Sequence, residues 1–337
     1  MRIAVDAMGG DYAPGEVVRG VVELASQPDF ADDVILVGDQ ERLETVLCDL
    51  GGACSKHISI RHASEVIGMD EHPASAIRKK RDSSIVVCGR MVKEGEADGT
   101  ISAGNTGAAM AMATLGIGRI RGIERPAIAT QLPTLKGDSL LLDAGANVDS
   151  SPQNLLQFAL MGVVYAERVM GIPEPTIGLL SVGTEESKGN ELSKATYDLL
   201  KNSPLRFLGN VEGKDVFEHT TDVIVCDGFV GNVLLKGGEG LAELILSLLM
   251  TELDSLEGDL LIRLQPALYS LLRKIDYAER GGAPLVGVDG VSIISHGRSK
   301  ARAIMNAVRT TLSAARSGYV DAIKKELPTI TGERGVA

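Results

Sequence analysis

Short apolar runs alternate along the chain with segments whose apolar positions recur every three or four residues. The series opens "RIAVDAM", "PGEVVRGVVELA", "DVILVGD", "ERLETVLCDL", "ISIRHA". The first kind of run predicts a buried strand and the second an amphipathic helix, so the rhythm is that of βαβ units. It continues through "GTISAG", "SLLLDAG", "TIGLLSVG", "DVIVCDG" and "VGVDGVSIISHG". The expected fold class is α/β, a largely parallel sheet with helices on both faces. Several of these strands run out into glycine with Asp or Asn beside it, as suits ligands met at the C-terminal ends of strands.

One stretch breaks the alternation. From Glu239 to Arg280 the pattern is helical throughout and predicts two helices with a kink or break at Pro266. Leu268, Leu271, Leu272 and Ile275 share one face, and Leu260, Leu261, Ile262 and Leu264 form an apolar knot between the helices. Such a pair is expected to protrude. No Pro/Ser linker, repeat or low-complexity tract divides the rest, so residues 1–337 read as a single catalytic α/β unit carrying that protrusion.

Composition narrows the function. A hydrophobic fraction of 44% supports a real core, while 39 glycines, 3% aromatics and no tryptophan suit tight turns rather than base stacking. A net charge of -11 argues further against nucleic acid, which needs a positive footprint. Cys48, Cys54, Cys88 and Cys226 lack C-x-x-C spacing, and neither disulfide nor metal is expected. With no apolar leader at "MRIAVDAMGG" and no run long enough to span a bilayer, the expected location is cytoplasmic.

Four glycine-bearing turns carry side chains able to converge: "SAGNTG" (Ser102 to Gly107), "LLDAGANVD" (Leu141 to Asp149), "SVGTEESKGNE" (Ser181 to Glu191) and "CDGFVGN" (Cys226 to Asn232). The first runs into a helix start, where unpaired N–H groups and the helix dipole favour an anion, though a plain strand-to-helix connection also explains its glycines. In the third, Lys188 supplies a positive charge and Asn190 either caps the helix beginning at Glu191 or meets a ligand. Asp149 or Ser151 is placed to cap the helix that Pro152 opens. Nucleotide, metalloprotease and serine-hydrolase signatures are missing. His57, His62 and His219 suit ordinary surface roles; His72 and His296 are harder to dismiss, and His296, Arg298 and Lys300 flank a helix start near Ser299. Arg78, Lys79, Lys80 and Arg81 stand together in an acidic chain, either as a solvated helix face or as a dock for an acidic partner.

Taken in order, "VDAMGGDYAP", "AIRKKRDSS", "SAGNTGA", "DAGANVD", "SVGTEESKGN", "DGFVGN" and "DYAERGGAPLVGVDGVSIISHGRS" closely resemble the bacterial phosphate acyltransferases of phospholipid synthesis, from Met1 to about Ala315. The resemblance implies transfer of a long-chain acyl group from acyl carrier protein to inorganic phosphate, without a cofactor. The acyl phosphate then feeds a membrane-bound glycerol-3-phosphate acyltransferase. It also implies a three-layer α/β/α sandwich of the isocitrate/isopropylmalate dehydrogenase and phosphotransacetylase type, a homodimer, and peripheral attachment to a membrane surface.

Phosphorolysis of a thioester needs a bound phosphate oxygen set against the carbonyl carbon, donors for the oxyanion, and departure of a thiolate whose conjugate acid has a pKa of about 8.5. Phosphate is already anionic, so no activated serine or cysteine is required. On that chemistry Gly104, Asn105, Thr106 and Gly107 are expected to hold phosphate. Lys188 is expected to neutralise charge, Asn190 and Asn232 to donate hydrogen bonds, and His296 to protonate the leaving sulfur. Arg78, Lys79, Lys80 and Arg81 are expected to dock the carrier protein, and Leu260, Leu261, Ile262 and Leu264 to touch membrane or a dimer partner. An acyl-CoA phosphotransacylase, a membrane-associated scaffold and a nicotinamide-dependent dehydrogenase are the rival readings.

Overall fold

The computed structural model describes residues 1–337 apart from 53–54, 254–257, 276 and 332–337, and apart from the side chains at 258–263, 275, 277–278 and 331. Among the described residues one sheet contains β1 (Arg2–Asp6), β2 (Asp33–Gly38), β3 (Ile58–His62), β4 (Gly99–Ser102), β5 (Ala127–Thr134) and β6 (Gly137–Leu142). It is completed by β7 (Ile177–Leu180), β8 (Phe207–Val211), β9 (Val223–Val225), β10 (Ala283–Val286) and β11 (Val291–Ile294). The helices are α1 (Gly15–Ala25), α2 (Gln40–Asp49), α3 (Pro73–Lys79), α4 (Ser84–Lys93), α5 (Thr106–Met112) and α6 (Pro152–Arg168). They continue with α7 (Glu191–Lys201), α8 (Asp215–Glu218), α9 (Gly228–Leu253), α10 (Gly258–Ile275), α11 (Ala301–Ser317) and α12 (Tyr319–Thr331).

Strand order is β3-β2-β1-β4-β11-β10-β5-β6-β9-β7-β8. The sheet is largely parallel, as the alternation of elements predicts, with seven of its ten described pairings parallel, but three antiparallel pairings at its centre make it mixed. β10 is antiparallel to both β11 and β5, and β5 to β6, so the parallel halves on either side run in opposite senses. Connection length explains this. Only Leu135 and Lys136 join β5 to β6, and only 287–290 join β10 to β11, far too little chain for a parallel crossover.

Alternation along each strand feeds two helical layers. Ile3 and Val5 of β1 pack with Val17 and Val21 of α1 and Ile304 and Val308 of α11, while Ala4 faces Val87, Cys88 and Met91 of α4. In the other half Leu140 and Leu142 meet Phe158 and Met161 of α6, and Leu141 faces Val216 of α8 with Leu234 and Leu235 of α9 behind it. The result is a three-layer α/β/α sandwich.

Local chemistry sets the helix starts. Ser151 and Asn154 make a reciprocal capping box with Pro152 in the first turn of α6, and the Asn190 side chain accepts from the Ser193 N–H at the start of α7. The helical pair departs from expectation in one respect. α10 is continuous through Pro266 rather than broken there, and the proline lies at an exposed position where water can serve the freed carbonyl. Cys48, Cys88 and Cys226 are free thiols, and Cys54 lies outside the described residues. No helix of the described residues is long and apolar enough to cross a membrane.

α9 is fastened by its first turn. A Cβ on the buried Gly231 would overlap the Asp143 carbonyl oxygen, whereas one on Gly240 would meet nothing within 4 Å. Gly231→Ala is therefore expected to lower stability by about 1–3 kcal/mol, and Gly240→Ala to raise it by roughly 0.5–1 kcal/mol. Urea unfolding of the two variants reads both, and equal midpoints would contradict the packing described.

Candidate active site

β1, β4 and β11 lie side by side with their last residues level, Asp6 opposite Ser102 and Ser102 opposite Ile294. Their outgoing loops therefore leave the sheet together. The Asp11 N–H donates to the Gly297 carbonyl at 2.9 Å, and a Cβ on Gly9 would lie 2.9 Å from the Gly104 nitrogen. Gly10 has φ +114 and its missing Cβ would press on the Ala103 and Gly297 carbonyls at 3.2 Å, so this crossing admits backbone only.

The turn after β4 leads into α5, and a π-helical turn at Ala113–Ile117 prolongs the helix. Asn105 caps it, its Oδ1 accepting from the Ala108 N–H at 3.0 Å. Its amide is equally committed: Nδ2 donates to the carbonyls of Met69 and Glu71 at 3.0 Å and of Gly68 at 3.3 Å. The Asn105 side chain thus holds segment 68–71 against the helix and has nothing to spare for a ligand. Gly104 is buried, and its N–H donates to Ser102 Oγ at 3.1 Å. Thr106 is exposed and Gly107 half-buried.

Two buried carboxylates organise the loops. Asp6 accepts from Ser84 Oγ and Ser102 Oγ, both at 2.6 Å, and from the Met8 N–H at 3.3 Å. Asp143, immediately after β6, accepts through Oδ1 from the N–H groups of Ile128, Gly145 and Ala146, and through Oδ2 from the N–H and side-chain amide of Asn147. Burial raises the pKa of each above the ordinary carboxylate value, and these donors pull back toward it. Asp6 was not singled out from sequence. The available signal was the repeated step from apolar strand to "DA", in "IAVDAM" and "LLLDAG".

α9 ties the second set of loops to the first. Its Gly228 N–H donates to the Asn147 carbonyl at 2.8 Å, and Asn232 packs its Cβ side over Gly145. Asn232, Lys236, Glu239 and Glu243 recur at helical spacing and share a face. Glu243 pairs with Arg298 at 3.2 Å, and Lys236 and Glu239 act electrostatically on His296. Asn232 and His296 are thereby brought to one side of α9. Ala146 packs against the cluster that includes Ala108 of α5 and Ile294. Lys188 and Asn190 sit on an exposed loop whose described hydrogen bonds, such as Asn210 Nδ2 to the Glu185 carbonyl at 2.9 Å, stay within the second half. None of the described hydrogen bonds or ion pairs joins that loop to the Gly104–Gly107 turn.

Other expected residues divide likewise. Arg78, Lys79 and Arg81 are exposed at the end of α3, but Lys80 turns inward, donating to Glu71 at 2.6 Å and to the Val66 carbonyl at 2.7 Å. Lys80 is thus a strut of the 66–71 segment rather than part of a surface patch. His72 precedes Pro73 at the N-cap of α3 without a capping side-chain bond. Side chains of Leu260, Leu261 and Ile262 lie outside the described residues; Leu264 is half-buried.

The α/β/α sandwich is shared with phosphotransacetylases. A Streptococcus pyogenes phosphotransacetylase superposes with a TM-score of 0.62 at 17% identity, covering 94% of each chain. A branched-chain phosphotransacylase from Enterococcus faecalis gives 0.56 at 12% identity, covering 94% of this chain and 99% of that one. These likenesses establish the fold. The family model described as "Fatty acid synthesis protein" matches residues 1–321. Proteins named phosphate acyltransferase from Desulfitobacterium hafniense and Moorella thermoacetica are each 53% identical, the first covering 98% of this chain and 99% of the relative, the second 100% and 98%. The chain belongs to the phosphate acyltransferase family, a family of enzymes.

His296 Nδ1 accepts from the Arg298 N–H at 3.2 Å, and desolvation, then the Arg298 charge, hold its pKa below 6.5. The ring is neutral at pH 7 with its proton on Nε2, which suits hydrogen-bond donation better than protonating a leaving sulfur. A depressed imidazole contributes stability that is complete above pH 6.5 and lost as pH falls through the folded value. His296→Gln should therefore lose less stability than wild type between about pH 7.5 and about pH 5 in urea unfolding. Parallel losses would show the ring to be unperturbed.

Proposed function

We propose that the chain catalyses phosphorolysis of a long-chain acyl group carried on acyl carrier protein, giving acyl phosphate and free carrier for phosphatidic acid synthesis. A phosphate oxygen attacks the thioester carbonyl carbon, the C–S bond breaks with its electron pair passing to sulfur, and the thiolate takes its proton from water. The observation that carries the reading is the start of α5. The first N–H groups of a helix have no intrahelical acceptor, and the Asn105 cap serves Ala108. The N–H groups of Thr106 and Gly107, with the exposed Thr106 hydroxyl, are thus left for an anion, beside loops that admit only glycine.

Direct attack by phosphate also agrees with the thiols. Burial pushes Cys88 and Cys226 well above the ordinary thiol value, so neither supplies a thiolate to carry the acyl group. Asn232 and the Nε2–H of His296 serve as oxyanion donors in this scheme, and the exposed Lys188 and Asn190 supply a positive charge and a further donor. Arg78, Lys79 and Arg81 offer an acidic carrier three exposed cations.

The test is to incubate purified protein with acyl carrier protein thioester, with and without inorganic phosphate, and trap acyl phosphate with hydroxylamine. Phosphate-dependent hydroxamate is expected, and its absence rejects the reaction. Reversing Arg78, Lys79 and Arg81 to Glu should raise KM for the carrier substrate by about tenfold at low salt and less at high salt. An unchanged KM would remove the patch from carrier docking.

The same reading includes a homodimer and contact with a membrane surface. Leu241, Leu244, Ile245 and Leu248 of α9 are each more than half exposed, an apolar stripe that suits association. With Leu241, Leu244 and Leu248 changed to Ser, sedimentation should show a lighter species and vesicle flotation a weaker attachment. A variant that matches wild type in both measurements withdraws the stripe from both roles.

A further inference from the structure

Phosphate can be oriented at the start of α5 only if the Gly104–Gly107 turn keeps one geometry, and a single buried group is bound into that turn from beneath. Asp6, 3% exposed, ends β1 directly under the crossing of Gly9 and Gly104. Its described partners are neutral donors, and they divide between its two oxygens. Oδ1 receives Ser84 Oγ at 2.6 Å and the Met8 N–H, tying α4 to β1. Oδ2 receives Ser102 Oγ at 2.6 Å, and that hydroxyl in turn accepts the Gly104 N–H at 3.1 Å.

A carboxyl side chain is the acceptor suited to this place, because its two oxygens can serve several donors at once. The relay turns the Gly104 N–H inward, and none of the described hydrogen bonds engages the N–H groups of Thr106 and Gly107. We propose that Asp6 is a positioning residue for the attacking phosphate, acting through Ser102 on Gly104; the inference rests on reading that turn as the phosphate corner.

Two serine variants separate positioning from simple stability. Ser84→Ala and Ser102→Ala each delete one 2.6 Å hydrogen bond to the same carboxylate, so both urea midpoints should fall, that of Ser102→Ala further because it also strands the Gly104 N–H. Only Ser102 touches Gly104. Ser102→Ala is expected to raise KM for inorganic phosphate about five- to tenfold while leaving KM for the acyl substrate unchanged, and Ser84→Ala to leave the phosphate KM at the wild-type value. Thr106→Val, which alters the corner without touching the relay, serves as the reference. If Thr106→Val raises the phosphate KM while the two serine variants match each other, the corner stands and positioning by Asp6 is rejected. If Thr106→Val and Ser102→Ala both leave it unmoved, the corner itself is rejected. Should Ser102→Ala fail to fold, Asp6→Asn, which replaces one acceptor oxygen by an amide donor among the Ser84 and Ser102 hydroxyls and the Met8 N–H, is read by the same split between the two KM values.

Discussion

A carboxyl group buried where a strand ends, its oxygens accepting hydrogen bonds from the chain around it, is the constraint on which the loops of this protein depend. Asp6 and Asp143 use it in the same way in the two halves of the sheet, each gathering N–H groups or hydroxyls from the chain that follows it. Burying such a group is costly unless its lone pairs are served, so the loops can move away only by exposing the carboxylate or stranding it. Rigidity at the strand ends follows from that cost. The glycines at positions 9, 10, 228 and 231 are the other side of the same arrangement, since the donors must crowd close to the carboxylate and its neighbours and no Cβ fits between them.

α9 turns two such anchored regions into one site. Because the parallel halves run in opposite senses, their loops need a connector, and a helix of this length supplies it. It is clamped at Gly228 and Gly231 against the Asp143 loop and paired through Glu243 with Arg298, fifteen residues or about 22 Å further along its axis. Little else of α9 is buried, which is why its apolar side remains available beyond the two clamps.

What could be read from sequence was what short-range chemistry decides. The caps at Asn190 and Ser151, the strands ending in glycine and the four polar turns all follow from residues within a few positions of one another, and all are present. The antiparallel centre of the sheet was missed because "AIATQLPT" alternates threonine and glutamine with apolar residues, a weaker strand signal than the buried runs around it. The hairpin of β10 and β11 was hidden within one apolar stretch. The hydrogen bonds of Asn105 and Lys80 were illegible for a different reason. Their partners in segment 66–71 lie 34 to 37 residues from Asn105 and 9 to 14 from Lys80, and no local pattern announces such a meeting.

The engagement of those two side chains bears on the proposed chemistry. With Asn105 and Lys80 committed, the start of α5 offers an anion mainly backbone donors and a hydroxyl, over a buried acid and without a described cation in direct contact. The helix dipole contributes only about 0.3–1 kcal/mol to holding an exposed anion. For a reaction in which phosphate is the nucleophile, weak neutralisation is an advantage: a cage of cations would stabilise ground-state phosphate and blunt its attack. Interactions that strengthen only as the thioester oxygen becomes an oxyanion favour the transition state instead. In the proposed scheme the neutral donors Asn232 of α9 and His296 of the loop after β11 have that task. Orientation of phosphate and stabilisation of the oxyanion then fall to separate groups, each held by its own buried carboxylate or by α9.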